Sequence, residues 1–189
     1  MSIFVVSGLP RSGTSLMMQM LQAGGLEILV DDDRPPDANN PRGYFEYEPV
    51  KALKWENHWV CQAEGKAVKV IPVLLPYLPQ HLKYKIILMK RDLEEVLASQ
   101  EAMLQTLGRR GSSAGNGTLK SIFARQLSET ERWLAEQPHL EVIKVDFRDA
   151  VCNPEVTARM VADFLGLSLE LGKMTQAVDP SLYRQRRQS

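Results

Sequence analysis

The sequence predicts an α/β fold: a central, mostly parallel sheet of about five strands, flanked by helices in a three-layer arrangement. Three observations carry this. Short apolar runs rich in β-branched residues alternate with longer segments of helical periodicity. A glycine-bearing turn follows the first apolar run and opens directly into a helix. The chain has 189 residues, 44% hydrophobic and 24% charged, which suits one ordinary domain with a sizeable core. With no internal repeat and no linker composition, residues 1–189 read as a single domain.

Residues 3–7, with the run Ile3-Phe4-Val5-Val6, form the first strand, and residues 14–23 the first helix. Residues 26–30 read as a short second strand. Residues 31–40, rich in Asp, Pro and Asn, form a loop. Residues 49–59 have helical spacing, with Val50, Leu53 and Asn57 on related faces and Pro49 in the first turn. Residues 67–71 form a strand, after which Pro72 and Pro76 bound a brief helical turn. Residues 85–89 are a buried strand with charged ends, followed by a helix over 93–107. The segment from Gly108 to Gly117, with Arg109-Arg110 and repeated glycines, reads as a mobile lid. Residues 120–136 form a helix with Ile122, Leu127 and Leu134 inward. The last strand spans 141–147, and Asn153-Pro154-Glu155 opens a final long helix that stops at Gly166.

Formal net charge is zero, so nothing biases the whole chain toward nucleic acid or a membrane surface. Two cysteines, Cys61 and Cys152, and three unclustered histidines make neither a disulfide framework nor a metal site; no metal is expected. No run reaches the ~20 apolar residues of a membrane span. The first residues lack a basic leader and a signal-type stretch, and the expected location is the reducing cytoplasm. The basic cluster Arg184-Gln185-Arg186-Arg187 reads as a solvated tail.

The most informative string is Gly8-Leu9-Pro10-Arg11-Ser12-Gly13-Thr14-Ser15. A nucleotide-cleaving loop reads G-x-x-x-x-G-K-[ST], with its Lys on the terminal phosphates. Here Thr14 stands where that Lys belongs, and the cation is Arg11, placed earlier. A strand–turn–helix of this kind aims backbone N–H groups and the positive end of the helix at one spot. Gly8 and Gly13 let the backbone turn and approach an anion closely. Ser12, Thr14 and Ser15 add hydroxyl donors, and Arg11 adds a planar fork suited to phosphate or sulfate. The plain alternative is a tight turn capped by Ser12 or Thr14. A second anchor, Arg91, also follows a strand, so both fall on the carboxyl edge of the sheet, where ligands of such folds bind.

The string Gly8-Leu9-Pro10-Arg11-Ser12-Gly13-Thr14-Ser15-Leu16-Met17 resembles the 5′-phosphosulfate loop of sulfotransferases that use 3′-phosphoadenosine 5′-phosphosulfate. The similarity is to the Arg-bearing version of tyrosylprotein sulfotransferases and bacterial relatives; cytosolic members carry Lys at this place. The resemblance implies a P-loop-type fold and that donor, with adenosine 3′,5′-bisphosphate as product. It places Arg11, Ser12, Gly13, Thr14 and Ser15 around the 5′-phosphosulfate. It also places Arg91, and Ser99 eight residues on, at the 3′-phosphate; two turns of helix at ~1.5 Å per residue allow both to reach one group. Residues 141–147, Asn153-Pro154-Glu155 and Phe164-Leu165-Gly166-Leu167 are similar to the family's last strand and closing helix, with Phe147 near the adenine. The family's glycine-rich C-terminal element is not evident; Asp179-Pro180-Ser181-Leu182-Tyr183-Arg184 resembles the tail of some bacterial members.

The implied reaction is in-line transfer of a sulfuryl group to a hydroxyl or amine. It needs alignment, a base, and charge neutralisation at the leaving oxygen, for which Arg11 is placed. Two residues compete for the base. Glu46 lies in Asn40-Pro41-Arg42-Gly43-Tyr44-Phe45-Glu46, which resembles a string of bacterial sulfotransferases. Burial among Tyr44, Phe45 and Tyr47 would raise its pKa and suit proton abstraction. His58, between Asn57 and Trp59, is the second candidate, because a His base serves cytosolic members. Lys69 resembles the lysine at the end of the family's middle strand and stands as a candidate contact to the bridging oxygen or acceptor; otherwise it is an edge-strand lysine. The acceptor stays open among small molecules, glycans and peptides, as does the oligomeric state. A P-loop small-molecule kinase and a non-catalytic nucleotide-binding module are the alternative functions.

Overall fold

Alternation along the strands divides the core into two faces. The computed structural model describes every residue except 32–36, 38–39, 107, 109–115 and 186–189, and the backbone alone of Asn116. Four parallel strands form one sheet in the order β2-β1-β3-β4, where β1 is Ile3–Gly8, β2 Ala67–Lys69, β3 Tyr84–Lys90 and β4 Leu140–Asp146. Phe4, Val6, Ile87, Met89 and Val145 enter one core cluster. Ile3, Val5, Ile86, Leu88 and Leu140 enter the other. This period of two, with both sets buried, is what a sheet covered on both sides requires.

The first cluster packs under α1 (Thr14–Ala23), α4 (Phe147–Cys152), α5 (Pro154–Leu165) and α6 (Leu171–Gln176). The second is covered by α3 (Asn116–Ala135) and by 3₁₀ turns at Glu48–Ala52, His58–Ala63 and Pro72–Tyr77. The remaining helix, α2, spans Leu93–Thr106. Asp92 caps it, its Oδ1 accepting from the amides of Glu94 at 2.8 Å and Glu95 at 3.3 Å. Gly166 ends α5 in a left-handed turn, φ 70°. Among the described residues, no helix is long and apolar enough to cross a membrane.

Three expectations shift. The fifth strand, over 26–30, shrinks to a single parallel bridge between Ile28 and Ala67, because its neighbour β2 is only three residues long. The helix over 49–59 resolves into two 3₁₀ turns, since Lys54 to His58 are all exposed and Asn57 gives the inward stripe nothing to bury. On α3, Leu134 is buried but Ile122 is 52% exposed.

Candidate active site

β1 is followed by β2 on one side, and the chain then returns to lay β3 and β4 on the other. The order therefore reverses between β1 and β3, and a crevice forms outside their carboxyl ends. Gly8 pairs with Met89 there, which brings the turn after β1 beside Arg91. A cavity of about 400 Å³ opens at this point, lined among others by Arg11, Thr14, Glu46, Lys69, Arg91 and Ser99. Small-molecule sites run from roughly 300 to 1,000 Å³. Sequence-predicted residues from four separate segments thus meet in one place.

The turn after β1 is shaped by its glycines. A Cβ on Gly8 (φ 153°) would meet Ser12 Oγ at 2.5 Å and the Met89 carbonyl at 2.7 Å. Gly13 (φ 97°) is the N-cap of α1 and supplies no side-chain cap. The first N–H groups of α1 therefore lack intrahelical partners and, among the described residues, a capping bond from the N-cap side chain, the arrangement that receives anions. Arg11 is left-handed as well, at φ 68°. Thr14 and Ser15 line the cavity. Ser15 donates to the Tyr44 carbonyl at 3.2 Å and accepts from Asn40 Nδ2 at 3.1 Å. Ser12 differs from the others: it is 1% exposed, packed beneath Gly8, and its Oγ has no partner among the described residues. It shapes the turn from below, while its backbone N–H closes the turn on the Leu9 carbonyl at 3.1 Å.

At the β2 end, Lys69 is almost enclosed, donates to the Tyr44 carbonyl, and faces Glu46 at 3.6 Å. Phe45, between those two partners, takes a left-handed φ of 53°. That turn sets a carbonyl and a carboxylate on the same ammonium. The burial of Glu46 among aromatic rings does not arise. Its side chain is 31% exposed beside Lys69, Tyr44 instead donates to Asp37 at 2.8 Å, and Tyr47 packs edge-on to Trp59. His58 is exposed at the start of its 3₁₀ turn and does not line the cavity, so it is not brought to Glu46 and Lys69.

Arg91 and Ser99 both reach the cavity, yet their bonds run to the turn itself. Ser99 Oγ accepts from Arg11 Nε at 2.9 Å. Arg91 donates to the Arg11 carbonyl at 3.1 Å, to Glu95 Oε2 at 3.0 Å and to the Gln185 carbonyl at 2.9 Å. Its guanidinium lies 4.3 Å from the Phe147 ring centre and 5.3 Å from that of Tyr183. Tyr183 donates to Glu95 Oε1 at 2.7 Å. Burial first, and then the Glu95 carboxylate, push the Tyr183 hydroxyl up to about 12.

Several groups of the site had no sequence signal of their own: the Tyr44 carbonyl, Tyr183, whose hydroxyl is held by Glu95 behind the cavity, and Gln100, whose buried Oε1 has no partner among the described residues. Asn40 stood in the recognised string without a role, and Tyr44 only as a ring expected to bury Glu46. The lid residues Arg109-Arg110, and Arg186-Arg187 of the basic tail, lie outside the described residues.

A parallel sheet carries, at its switch point, an arginine-bearing glycine turn that leads into a helix whose N-cap residue supplies no side-chain cap. The chain belongs to the sulfotransferase domain family, whose model matches residues 2–189. No curated protein matches it. Among solved structures it is similar to the sulfotransferase domain from the curacin biosynthetic pathway, with TM-score 0.57 and 16% identity over 94% of this chain and 78% of that one. Retinol dehydratase in complex with androsterone and inactive cofactor PAP gives TM-score 0.49 and 14% identity, over 96% of this chain and 64% of that one. A sugar kinase from Janibacter sp. gives TM-score 0.47 and 14% identity, over 94% and 98%. The curacin likeness supports the fold.

Proposed function

We propose that the chain is a sulfotransferase taking its sulfuryl group from 3′-phosphoadenosine 5′-phosphosulfate and passing it to a hydroxyl or amine. The observation that carries this is the convergence of the uncapped α1 start, Arg11, and the Glu46–Lys69 pair on one cavity. The residues present fit such a donor. Gly8 and Gly13 pack too tightly against Ser12, Met89 and Phe147 to carry a Cβ, and the turn they make offers amides, hydroxyls and a guanidinium to an anion. When bound, the donor supplies the sulfuryl group and a phosphate leaving group.

The roles of the chain's own residues follow. Gly13, Thr14 and Ser15 hold the 5′ end through their N–H and O–H groups. Arg11 neutralises charge at the leaving oxygen. The ribose phosphate belongs at the α2 end of the cavity, lined by Arg91, Ser99 and Arg184. Glu46 takes the acceptor proton on its carboxylate, and Lys69 beside it orients that carboxylate. The adenine falls to the Phe147 and Tyr183 side. The acceptor is a small molecule, glycan or peptide that presents its nucleophile to Glu46. The test uses donor labelled in its sulfuryl group, with a panel of alcohols, phenols and amines. Label must reach an acceptor with the wild type, and transfer must fall on Glu46→Gln. Absence of transfer to every acceptor, with the donor bound, would favour a binding module.

A further inference from the structure

A chain of hydrogen bonds runs from the start of α1 to the candidate base. Asn40 Nδ2 donates to Ser15 Oγ at 3.1 Å, and Ser15 Oγ donates to the Tyr44 carbonyl at 3.2 Å. Lys69 donates to that same carbonyl and faces Glu46 at 3.6 Å. All five residues line the one cavity. The shared carbonyl belongs to the peptide plane that leads into Phe45. Phe45 is left-handed, at φ 53°, two residues after a left-handed Gly43 at φ 99°. A non-glycine residue persists in that region only where its surroundings over-determine it. Here Ser15 and Lys69 fix the peptide plane from two elements, α1 and β2, and Glu46 is the residue that follows.

A serine hydroxyl has one proton to give and two lone pairs. Asn40 occupies a lone pair, which holds the oxygen in place whichever way its proton points. In this structure the proton goes to the Tyr44 carbonyl. A phosphate at the start of α1 competes for it, because a charge-assisted bond is roughly twice as strong as a neutral one. Giving the proton to that phosphate releases the Tyr44 peptide on the Ser15 side. We infer that Asn40 is a positioning residue: it holds the Ser15 hydroxyl as a link between the two halves of the site, so that donor occupancy resets the Tyr44–Phe45 peptide and with it Glu46. The inference rests on the reading of the α1 start as the donor's anion site.

The test is amide hydrogen exchange at Phe45 and Glu46 in the wild type, Asn40→Asp, Ser15→Ala and the double variant, without nucleotide and with saturating adenosine 3′,5′-bisphosphate. Asn40→Asp keeps the shape, removes the N–H that Ser15 receives, and draws the hydroxyl proton away from Tyr44. Without nucleotide, each single variant should exchange roughly three- to tenfold faster than the wild type, the value of about one hydrogen bond. The double variant should be no faster than the faster single variant. Unchanged rates, or factors that multiply in the double variant, would overturn the inference. With the bisphosphate, the same two amides should speed up in the wild type by a like factor and stay unchanged in Ser15→Ala. A merely structural brace would give no such response to nucleotide. No response in the wild type, or an equal one in Ser15→Ala, overturns the inference. Lack of protection by the bisphosphate at the Gly13 and Thr14 amides would sink the proposed donor alone, and the nucleotide-free comparison still decides whether Asn40 acts through Ser15. Should Asn40→Asp fail to fold, Asn40→Ala must raise the same two rates more weakly; unchanged rates there also count against the link.

Discussion

Gly13→Ala is the substitution whose cost can be worked out most directly. Gly13 sits at φ 97°, where an alanine pays roughly 1–3 kcal/mol in backbone strain. Its new Cβ would overlap Cδ2 of Phe147 and lie 3.1 Å from Cε2. Phe147 cannot simply step aside. It is 8% exposed, with Tyr183 edge-on at 5.0 Å and the Arg91 guanidinium 4.3 Å away. Overpacking of this kind adds about 1–3 kcal/mol, giving roughly 2–6 kcal/mol in all. Urea unfolding reads it as a lowered midpoint at unchanged slope. Because any shift of Phe147 disturbs Arg91 and so the Arg11 carbonyl, binding of adenosine 3′,5′-bisphosphate should weaken at least about tenfold. A midpoint change equivalent to less than about 0.5 kcal/mol, with binding intact, would refute the packing of this turn against Phe147.

Four further outcomes are expected. Glu46→Gln should lower turnover by roughly 10²–10⁴ with donor affinity retained, whereas His58→Ala should leave turnover near wild type; steady-state kinetics of the two variants decides between the bases. Lys85 donates to the carbonyls of Phe164 at 2.8 Å and Leu165 at 3.2 Å, closing the end of α5. Lys85→Met should therefore cost about 1–2 kcal/mol in urea unfolding, and an unchanged midpoint would deny it that role. Tyr183 has its hydroxyl raised from 10.0 to about 12, so the folded state holds that proton more tightly than the unfolded chain. Its contribution is complete below the unfolded value and is lost as pH climbs through the folded one. The stability gap between wild type and Tyr183→Phe should be open at about pH 8 and narrower at about pH 11.5; a constant gap would contradict the buried bond to Glu95.

Much of the site was legible because its logic is local. Gly8, Gly13 and the run before them specify a strand–turn–helix from spacing alone, and Arg91 after a second strand places itself on the same sheet edge. Glu46 and Lys69 were both named, but not as a pair, because their meeting depends on the left-handed turn at Phe45. No sequence periodicity announces such a turn at a phenylalanine. The partners of Ser99 and Arg91 were hidden for a related reason. Eight residues along a helix fix their relative spacing, but not that Arg11 comes within 2.9 Å of one and 3.1 Å of the other. The apparent helix over 49–59 misled because Val50 and Leu53 keep helical spacing for one turn only, after which Lys54 to His58 turn outward. Residues 26–30 have strand composition, but with only a three-residue neighbour they make a bridge and no strand.

Calorimetry of the purified chain with adenosine 3′,5′-bisphosphate, ADP and magnesium–ATP side by side tests the central claim most directly. The chain should prefer the bisphosphate by at least about tenfold, the value of one added charge-assisted bond to the ribose phosphate. Tighter binding of magnesium–ATP would contradict the account and turn the site into that of a kinase.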